Sequence, residues 1–157
     1  AGFLLNNEMD DFSIKPDYPN IYGLIGSEAN SIEGGKRMLS SMSPTIVERD
    51  EHPFLVIGTP GGSTIITSVF QNILNIIDFN MSVQNSVDNH RFHHQWKPDT
   101  IFMEKGFLND TIQKKLNNLG HIILERSGIG QVNAIMIIDG QITCGADRRG
   151  DNTSLGY

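Results

Sequence analysis

Apolar and polar positions in the middle of the chain follow two different periods. Residues 54–57 form a short apolar run, partly β-branched and bounded by Pro53 and Gly58, which predicts a buried strand. Further along, apolar residues recur three and four positions apart, which predicts a helix with one apolar face: Ile66, Val69, Phe70, Ile73, Leu74 and Ile77. A glycine-rich turn at residues 58–62 joins the two elements. The rest of the chain is organised around this strand, turn and helix.

The same periods predict the remaining elements. Strands are predicted at residues 3–5, 45–48, 100–104, 121–125, 132–138 and 141–145, and helices at 82–89 and 109–119. Asp139-Gly140 suits the type I′ turn of a hairpin, and the apolar run at 134–138 predicts a strand buried on both faces. In the helix at 109–119, Ile112, Leu116 and Leu119 are expected to face inward.

The mixture of helices and hairpins predicts one domain over residues 1–157. Its expected fold is α+β, with helices packed on an antiparallel or mixed sheet. The segment at 14–36 carries several prolines and glycines and little periodicity, which predicts a long irregular loop.

Composition is that of an ordinary globular protein. Of the 157 residues, 38% are hydrophobic and 19% are charged. The formal net charge of −6 argues against a nucleic-acid partner, because no basic stripe offsets repulsion from phosphates. Cys144 is the single cysteine, so an internal disulfide is excluded, and its place in a predicted strand favours an inert buried thiol. No apolar run approaches the length of a membrane span.

Three histidines in five residues, His90, His93 and His94, invite a metal interpretation. No cysteine lies nearby, and the adjacent His93 and His94 would point in opposite directions on a strand. Packed or surface histidines are therefore the better interpretation.

The glycine turn is a candidate anion site. Glycines let backbone N–H groups turn outward, and the start of a helix adds unpaired donors and the positive end of a dipole. The occupant could be a phosphate, a carboxylate or the oxyanion of an amide under attack, and a plain connector also uses glycines. Because the turn is neither G-x-x-x-x-G-K-[ST] nor G-x-G-x-x-G, nucleotide binding is the weaker interpretation.

Two further segments carry candidate binding groups. Glu8 and Asp11 are three residues apart in a predicted helical turn, so their carboxylates share one side of it. They form a negative pocket for a cation, or they are acids favoured by a helix dipole. Ser40 and Ser41 either satisfy their own backbone or donate their hydroxyls to a carboxylate.

Five segments together resemble the small subunit of the γ-glutamyltranspeptidases. They are LLNNEMDDFS, GKRMLSSMSPTI, GTPGGS, RFHHQW and the closing ADRRGDN with its terminal GY, in this order and spacing. The resemblance covers nearly the whole chain. It implies an N-terminal nucleophile hydrolase, an αββα sandwich built by two subunits cut from one precursor.

The resemblance also implies roles for individual residues. Glu8 and Asp11 match the residues that hold the α-ammonium of the γ-glutamyl group. Ser40 and Ser41 match those that bind its α-carboxylate, helped by an arginine of the large subunit. Gly61 and Gly62 match the oxyanion hole. General chemistry agrees, because carboxylates suit a cation, hydroxyls suit an anion, and backbone amides suit developing negative charge.

One departure from the family pattern concerns the nucleophile. In the family it is the threonine at the start of the small subunit, whose own amine assists as base, whereas this chain starts with Ala1. A preceding stretch with that threonine is therefore expected, and the chain alone is expected to be inactive. The resemblance implies no cofactor and no metal, and a periplasmic, secreted or cell-surface location.

The activity implied for the complete protein is γ-glutamyl transfer and hydrolysis. Its expected partners are the large subunit, glutathione or other γ-glutamyl amides, and amino acid or peptide acceptors. One alternative is a glutaryl or cephalosporin-type acylase of the same family, whose substrate lacks the amine that Glu8 and Asp11 would bind. The other is a non-catalytic module that binds an anion or amino acid at the glycine turn.

Overall fold

The computed structural model describes residues 2–155 in two compact units. Residues up to Met42 belong to the first unit, and residues from Ser43 onward belong to the second. The predicted strand at residues 3–5 is absent from the described part of the chain, where this stretch has no strand partner.

The first unit is built from turns. Its regular elements among the described residues are two 3₁₀ turns, Glu8–Asp11 and Glu28–Asn30. A parallel bridge between Ser13 and Ser31 ties the two regions together, and the Ser13 amide donates to the Asn30 carbonyl at 2.9 Å. The irregular segment predicted at 14–36 is confirmed, apart from the second of these short turns.

The second unit contains seven strands and three helices among its described residues. In chain order they are β1 (Thr45–Arg49), β2 (His52–Gly58), α1 (Ile65–Ile77), α2 (Val83–Asp88), β3 (Phe92–His93), β4 (Ile101–Glu104), α3 (Asp110–Asn118), β5 (Ile123–Arg126), β6 (Asn133–Ile138) and β7 (Gln141–Ala146). A 3₁₀ turn, Gly62–Thr64, leads directly into α1.

The strands form two sheets. One is antiparallel throughout, in the order β1-β2-β6-β7. The other has the order β3-β4-β5, with β3 antiparallel and β5 parallel to β4. The predicted α+β class with antiparallel and mixed sheets is confirmed.

The hairpin between β6 and β7 turns where the sequence indicated. Asp139 and Gly140 both have positive φ, 50° and 77°, as a type I′ turn requires, and Ile138 pairs with Gln141. The predicted burial of residues 134–138 on both faces is wrong. Ala134 is buried while Ile135 and Ile138 are exposed. The core formed with α1 and α2 lies against one face of this antiparallel sheet only, so the other face of the strand stays uncovered.

The core of the second unit lies between β2, β6 and the helices α1 and α2. Its buried members are Phe54, Leu55, Ile57, Val69, Ile76, Val83, Val87, Val132 and Ala134. The end of β2 and the start of α1 are therefore both anchored by packing. This anchoring fixes the two elements that flank the glycine turn.

Helix α1 buries only part of the predicted apolar face, since Val69 is buried and Ile73 packs against the core. Ile66 and Phe70 are 69% and 58% exposed, whereas Ser68 and Asn72 are fully buried. The Asn72 side chain is satisfied, because its Oδ1 accepts from the Ser86 hydroxyl of α2 at 2.8 Å and its Nδ2 donates to the Ser68 carbonyl at 2.9 Å, whereas the Ser68 hydroxyl has no hydrogen-bond partner among residues 2–155. The buried face of α1 is therefore rotated from the predicted one, and Ile66, Phe70 and Ile77 of the apolar stripe are left on the surface of this chain.

Helices α2 and α3 begin with capped N-termini at the first residues of the predicted helices, Ser82 and Asn109. The Ser82 hydroxyl accepts from the Asn85 amide at 3.2 Å, and the Asn109 Oδ1 accepts from the Ile112 amide at 2.9 Å. In α3 the inward placement of Ile112 and Leu119 is wrong, since both are exposed. None of the helices in residues 2–155 has the length and apolar character that a bilayer crossing requires.

Candidate active site

The first candidate binding group is the acidic 3₁₀ turn, Glu8–Asp11. Residues three apart in a 3₁₀ turn are nearly eclipsed, so Glu8 and Asp11 project from the same side, as the sequence predicted. Glu8 is exposed and Asp11 is half-buried. Within residues 2–155 the Glu8 carboxylate accepts no hydrogen bond, whereas the Asp11 carboxylate accepts one through Oδ2.

The first unit brings Asp11 next to one of the two candidate serines. The Ser41 hydroxyl donates to the Asp11 Oδ2 at 3.0 Å, although the two residues are 30 positions apart. Asn30 holds the two segments in place: its side-chain amide donates to the Asp11 carbonyl at 2.7 Å, and its Oδ1 accepts from the Leu39 amide at 3.0 Å. Sequence analysis missed Asn30, because nothing in the irregular segment distinguishes it.

Ser40 and Ser41 behave differently. The Ser40 hydroxyl accepts from the Met42 amide at 3.3 Å, which is the local backbone arrangement common in turns. The Ser41 hydroxyl instead donates to a carboxylate. Both serines are exposed. Each hydroxyl can therefore reorient toward an external anion by rotating about one bond.

Gly61 and Gly62 lie in the second unit and adopt backbone conformations that favour glycine. Their φ angles are 143° and 57°. The Thr64 amide closes the turn by donating to the Gly61 carbonyl at 3.1 Å. Within residues 2–155, the amides of Gly61 and Gly62 donate to no protein acceptor. Two N–H groups without a protein acceptor therefore lie in the turn that leads, through a 3₁₀ turn, into the 13-residue helix α1, a position of the kind that favours anions.

The space around Gly61 is also restricted. A β-carbon placed on Gly61 would lie 2.5 Å from the Thr64 Oγ1 and 3.5 Å from the Gly130 Cα. Gly130 itself has φ of 70°, and a β-carbon there would lie 2.8 Å from the Thr59 Oγ1. The turn is therefore packed closely against the loop that contains Gly130.

A buried ionic network supports that loop. Arg91 and Asp147 form an ion pair in which both side chains are fully buried. Arg149 donates to both oxygens of Glu104, from Nε at 2.6 Å and from Nη2 at 2.5 Å. Glu104 accepts from the Ile129 amide and Asp147 from the Val132 amide, each at 2.8 Å. The two carboxylates thus hold both ends of the segment 129–132.

The network also sets the protonation of its carboxyls. Burial raises the pKa of Glu104, but hydrogen bonds from Arg149 and from the Arg91 and Ile129 amides outweigh burial and leave the pKa below its ordinary value. Burial likewise raises the pKa of Asp147, and hydrogen bonds from Arg91, Arg149 and Val132 lower it further than burial raises it. Both groups are therefore carboxylates at neutral pH.

Stability should consequently fall on acidification. Because folding lowers the pKa of Glu104, its contribution is fully present above the unfolded pKa of about 4 and is lost as pH falls through the folded value. Melting temperatures measured from pH 7 to pH 2 should show this loss in the wild-type protein and a smaller loss in Glu104→Gln. An equal loss in both would exclude Glu104 as a source of acid sensitivity.

The histidine cluster is part of the packing. His93 is buried, with its Nδ1 2.8 Å from the Thr67 Oγ1 and its Nε2 2.8 Å from the Gln95 Oε1. His94 lies 3.0 Å from the Asp99 carboxylate. Among residues 2–155, no group of three or more His, Cys, Asp or Glu side chains could hold a metal ion.

Comparison with known proteins covers the entire chain. The sequence model of the family Gamma-glutamyltranspeptidase matches residues 1–157. The glutathione hydrolase proenzyme of Escherichia coli K12 is 47% identical over 159 residues, which are 100% of this chain and 27% of that protein. The chain therefore spans about a quarter of the length of this curated relative.

Solved structures show the same likeness. A crystal structure of a mutant γ-glutamyltranspeptidase from Helicobacter pylori superposes with a TM-score of 0.91 at 50% identity, covering 96% of this chain and 83% of that chain. A cephalosporin acylase from Bacillus halodurans has a TM-score of 0.71 at 22% identity over 82% of this chain and 25% of that one, which shows the fold alone. The α+β architecture is that of the N-terminal nucleophile hydrolases. On its sequence and its fold, the chain belongs to the γ-glutamyltranspeptidase family.

Proposed function

We propose that this chain supplies the γ-glutamyl-binding residues and the oxyanion hole of a two-subunit enzyme that transfers and hydrolyses γ-glutamyl groups. The observation that carries the proposal is the 3.0 Å hydrogen bond between Ser41 and Asp11. The ammonium and carboxylate of an α-amino acid are attached to the same carbon atom. A site for this head group therefore needs an anion and a hydroxyl donor side by side, as Asp11 and Ser41 are.

The four polar residues divide between the two charges of the head group. Glu8 and Asp11 accept hydrogen bonds from the α-ammonium, and Ser40 and Ser41 donate to the α-carboxylate. When the substrate binds, the Ser41 proton turns from Asp11 to the incoming carboxylate. Asp11 then keeps its acceptor capacity for the ammonium.

The chemistry proposed for the complete enzyme is acyl transfer in two steps. The family's threonine hydroxyl attacks the γ-carbonyl carbon, and the Gly61 and Gly62 amides stabilise the negative charge on its oxygen. The carbon–nitrogen bond breaks, and the nitrogen leaves with a proton as an amine. Water, or the amine of an amino acid or peptide, then attacks the γ-glutamyl ester and releases the threonine.

The proposed partners follow from the same family membership. They are the large subunit of the same precursor, glutathione or other γ-glutamyl amides, and amino acid or peptide acceptors. Support comes from the length of the curated relative, a proenzyme of which this chain covers 27%. The proposed location is periplasmic, secreted or cell-surface.

The proposal is tested by comparing γ-glutamyl and glutaryl amides as substrates of the complete enzyme and of Asp11→Asn. A glutaryl amide has no α-ammonium, so the wild-type enzyme should prefer the γ-glutamyl compound. Hydrogen bonds to charged groups contribute about 1.5–3 kcal/mol, so Asp11→Asn should raise KM for the γ-glutamyl amide by about tenfold or more and leave the glutaryl KM unchanged.

Asp10→Asn is the matched control, because Asp10 is an exposed residue of the same 3₁₀ turn, displaced from the side shared by Glu8 and Asp11. Its KM should equal that of the wild type. A wild-type preference for the glutaryl amide would replace the proposal with an acylase. Tight binding of a nucleotide at the glycine turn, with no turnover of either amide, would replace it with a non-catalytic module.

A further inference from the structure

The direction of each N–H group in the glycine turn is set by the preceding carbonyl. A trans peptide is planar, and its N–H and C=O point in opposite directions. The Gly61 N–H therefore points away from the Pro60 carbonyl, and the Gly62 N–H away from the Gly61 carbonyl. A hydrogen bond that fixes the orientation of one of these carbonyls therefore also fixes the direction of the N–H in the same peptide plane.

Two threonines hold these two carbonyls. The Thr59 hydroxyl donates to the Pro60 carbonyl at 2.7 Å. The Gly61 carbonyl accepts twice from Thr64, from the hydroxyl at 2.9 Å and from the amide at 3.1 Å. The Pro60 carbonyl accepts no other hydrogen bond from residues 2–155. The Thr59 side chain therefore makes the only hydrogen bond to this carbonyl within residues 2–155.

The Thr59 hydroxyl is itself held from the opposite side. It accepts from the Gln131 amide at 2.8 Å, so its single proton is directed to the Pro60 carbonyl. Gln131 lies within the segment 129–132, whose ends are bound by Glu104 and Asp147. The buried network therefore reaches the Pro60–Gly61 peptide through one hydroxyl group.

We propose that Thr59 is a positioning residue that aims the Gly61 N–H at the developing oxyanion. This inference rests on the function proposed above, because it assigns Thr59 a role in the same site. Thr59 touches no reacting atom. It acts through the orientation of one peptide plane, so its loss reduces the stabilisation of the transition state and leaves the contacts to the head group intact.

The test compares Thr59→Val, Thr59→Ser and Thr143→Val in the complete enzyme with a γ-glutamyl amide. Valine keeps the shape of threonine without the hydroxyl, and serine keeps the hydroxyl. Thr59→Val should lower kcat by about tenfold or more with KM within twofold of the wild type, since small misplacements of catalytic groups carry large rate costs. Thr59→Ser should restore kcat to within about threefold. Thr143→Val, at an exposed position of strand β7, should match the wild type.

Melting temperatures and KM separate positioning from loss of structure. The inference is overturned if Thr59→Val keeps the wild-type kcat, whether or not its KM rises. It is also overturned if Thr59→Ser does not restore kcat. If Thr59→Val does not accumulate, Thr59→Ala is judged by the same criteria. If the wild-type enzyme turns over the γ-glutamyl amide and Thr59→Val does so equally well, only the positioning role of Thr59 is overturned. If the wild-type enzyme does not turn over the γ-glutamyl amide, the proposed function is overturned as well.

Discussion

Replacing Gly61 with alanine in the complete enzyme is expected to lower kcat by about two to three orders of magnitude. The loss of one oxyanion donor typically costs about 2.7–4 kcal/mol of transition-state stabilisation. Alanine cannot adopt the Gly61 φ of 143° without strain, and its β-carbon would meet the Thr64 Oγ1 at 2.5 Å. The turn must shift, and the Gly61 N–H shifts with it. Steady-state kinetics with a γ-glutamyl amide measure the effect.

Gly58→Ala provides the matched control for this substitution. Gly58 ends strand β2 in the same turn, but a β-carbon there would meet no atom within 4 Å. Its kcat should remain within about twofold of the wild type. Near-normal turnover in Gly61→Ala, with an unchanged melting temperature, would remove the glycine turn from the mechanism.

Replacing Asp147 with alanine is expected to destabilise the protein by about 3–5 kcal/mol. Removing one partner of a buried ion pair leaves the other charge without compensation, and the Arg91 side chain is 0% exposed. The substitution also removes the acceptor of the Val132 amide and of the Arg149 amide. Denaturant or thermal unfolding of the complete enzyme measures the loss.

Arg148→Ala is the comparison for Asp147→Ala. Arg148 lies beside Asp147 in sequence, but its side chain is 81% exposed and its contact with Asp88 is 3.4 Å long. An exposed pair of this kind contributes about 0–1 kcal/mol, so the variant should unfold close to the wild type. Similar losses in the two variants would show that the buried pair has no special part in stability.

Local turn chemistry made part of the fold predictable. The hairpin at Asp139 and Gly140 depends on positive φ at two adjacent residues, which this pair accepts readily. The caps at Ser82 and Asn109 depend on hydrogen bonds to residues three positions ahead. Such features involve only neighbours in sequence, so the sequence pattern contains the needed information.

The buried ionic network was not predictable from the pattern. Arg91 and Asp147 are 56 positions apart, and Arg149 and Glu104 are 45 apart. Isolated charged residues are most often on the surface, and nothing in the local sequence marks these four as buried. Their pairing depends on how the tail after β7 meets β4 and α2, which is a tertiary property.

Apolar periodicity misplaced several surfaces for a related reason. The stripe on α1 has the spacing of a buried face, yet its members Ile66 and Phe70 are exposed, and the helix buries Ser68 and Asn72 beside Val69. Asn72 can be buried because the Ser86 hydroxyl donates a hydrogen bond to its Oδ1. The spacing of apolar residues indicates that a helix has two different faces, but it does not indicate which residues of the rest of the chain each face contacts.

In the candidate site, too, the sequence pattern predicted the local geometry but not the contacts between distant segments. From spacing alone, Glu8 and Asp11 fitted either a cation pocket or ordinary first-turn acids, and the two serines fitted an ordinary turn. Their joint assignment depended on the family resemblance. The structure then placed Ser41 against Asp11 and supplied Asn30 as the residue that holds them.

The function proposed above requires three segments of this chain to bind one γ-glutamyl group. A crystal structure of the complete enzyme with glutamate bound tests it directly. We expect Glu8 and Asp11 at the α-ammonium, Ser40 and Ser41 at the α-carboxylate, and the Gly61 and Gly62 amides at an oxygen of the side-chain carboxylate. Glutamate bound elsewhere, or Asp11, Ser41 and Gly62 too far apart to contact one such molecule, would contradict it.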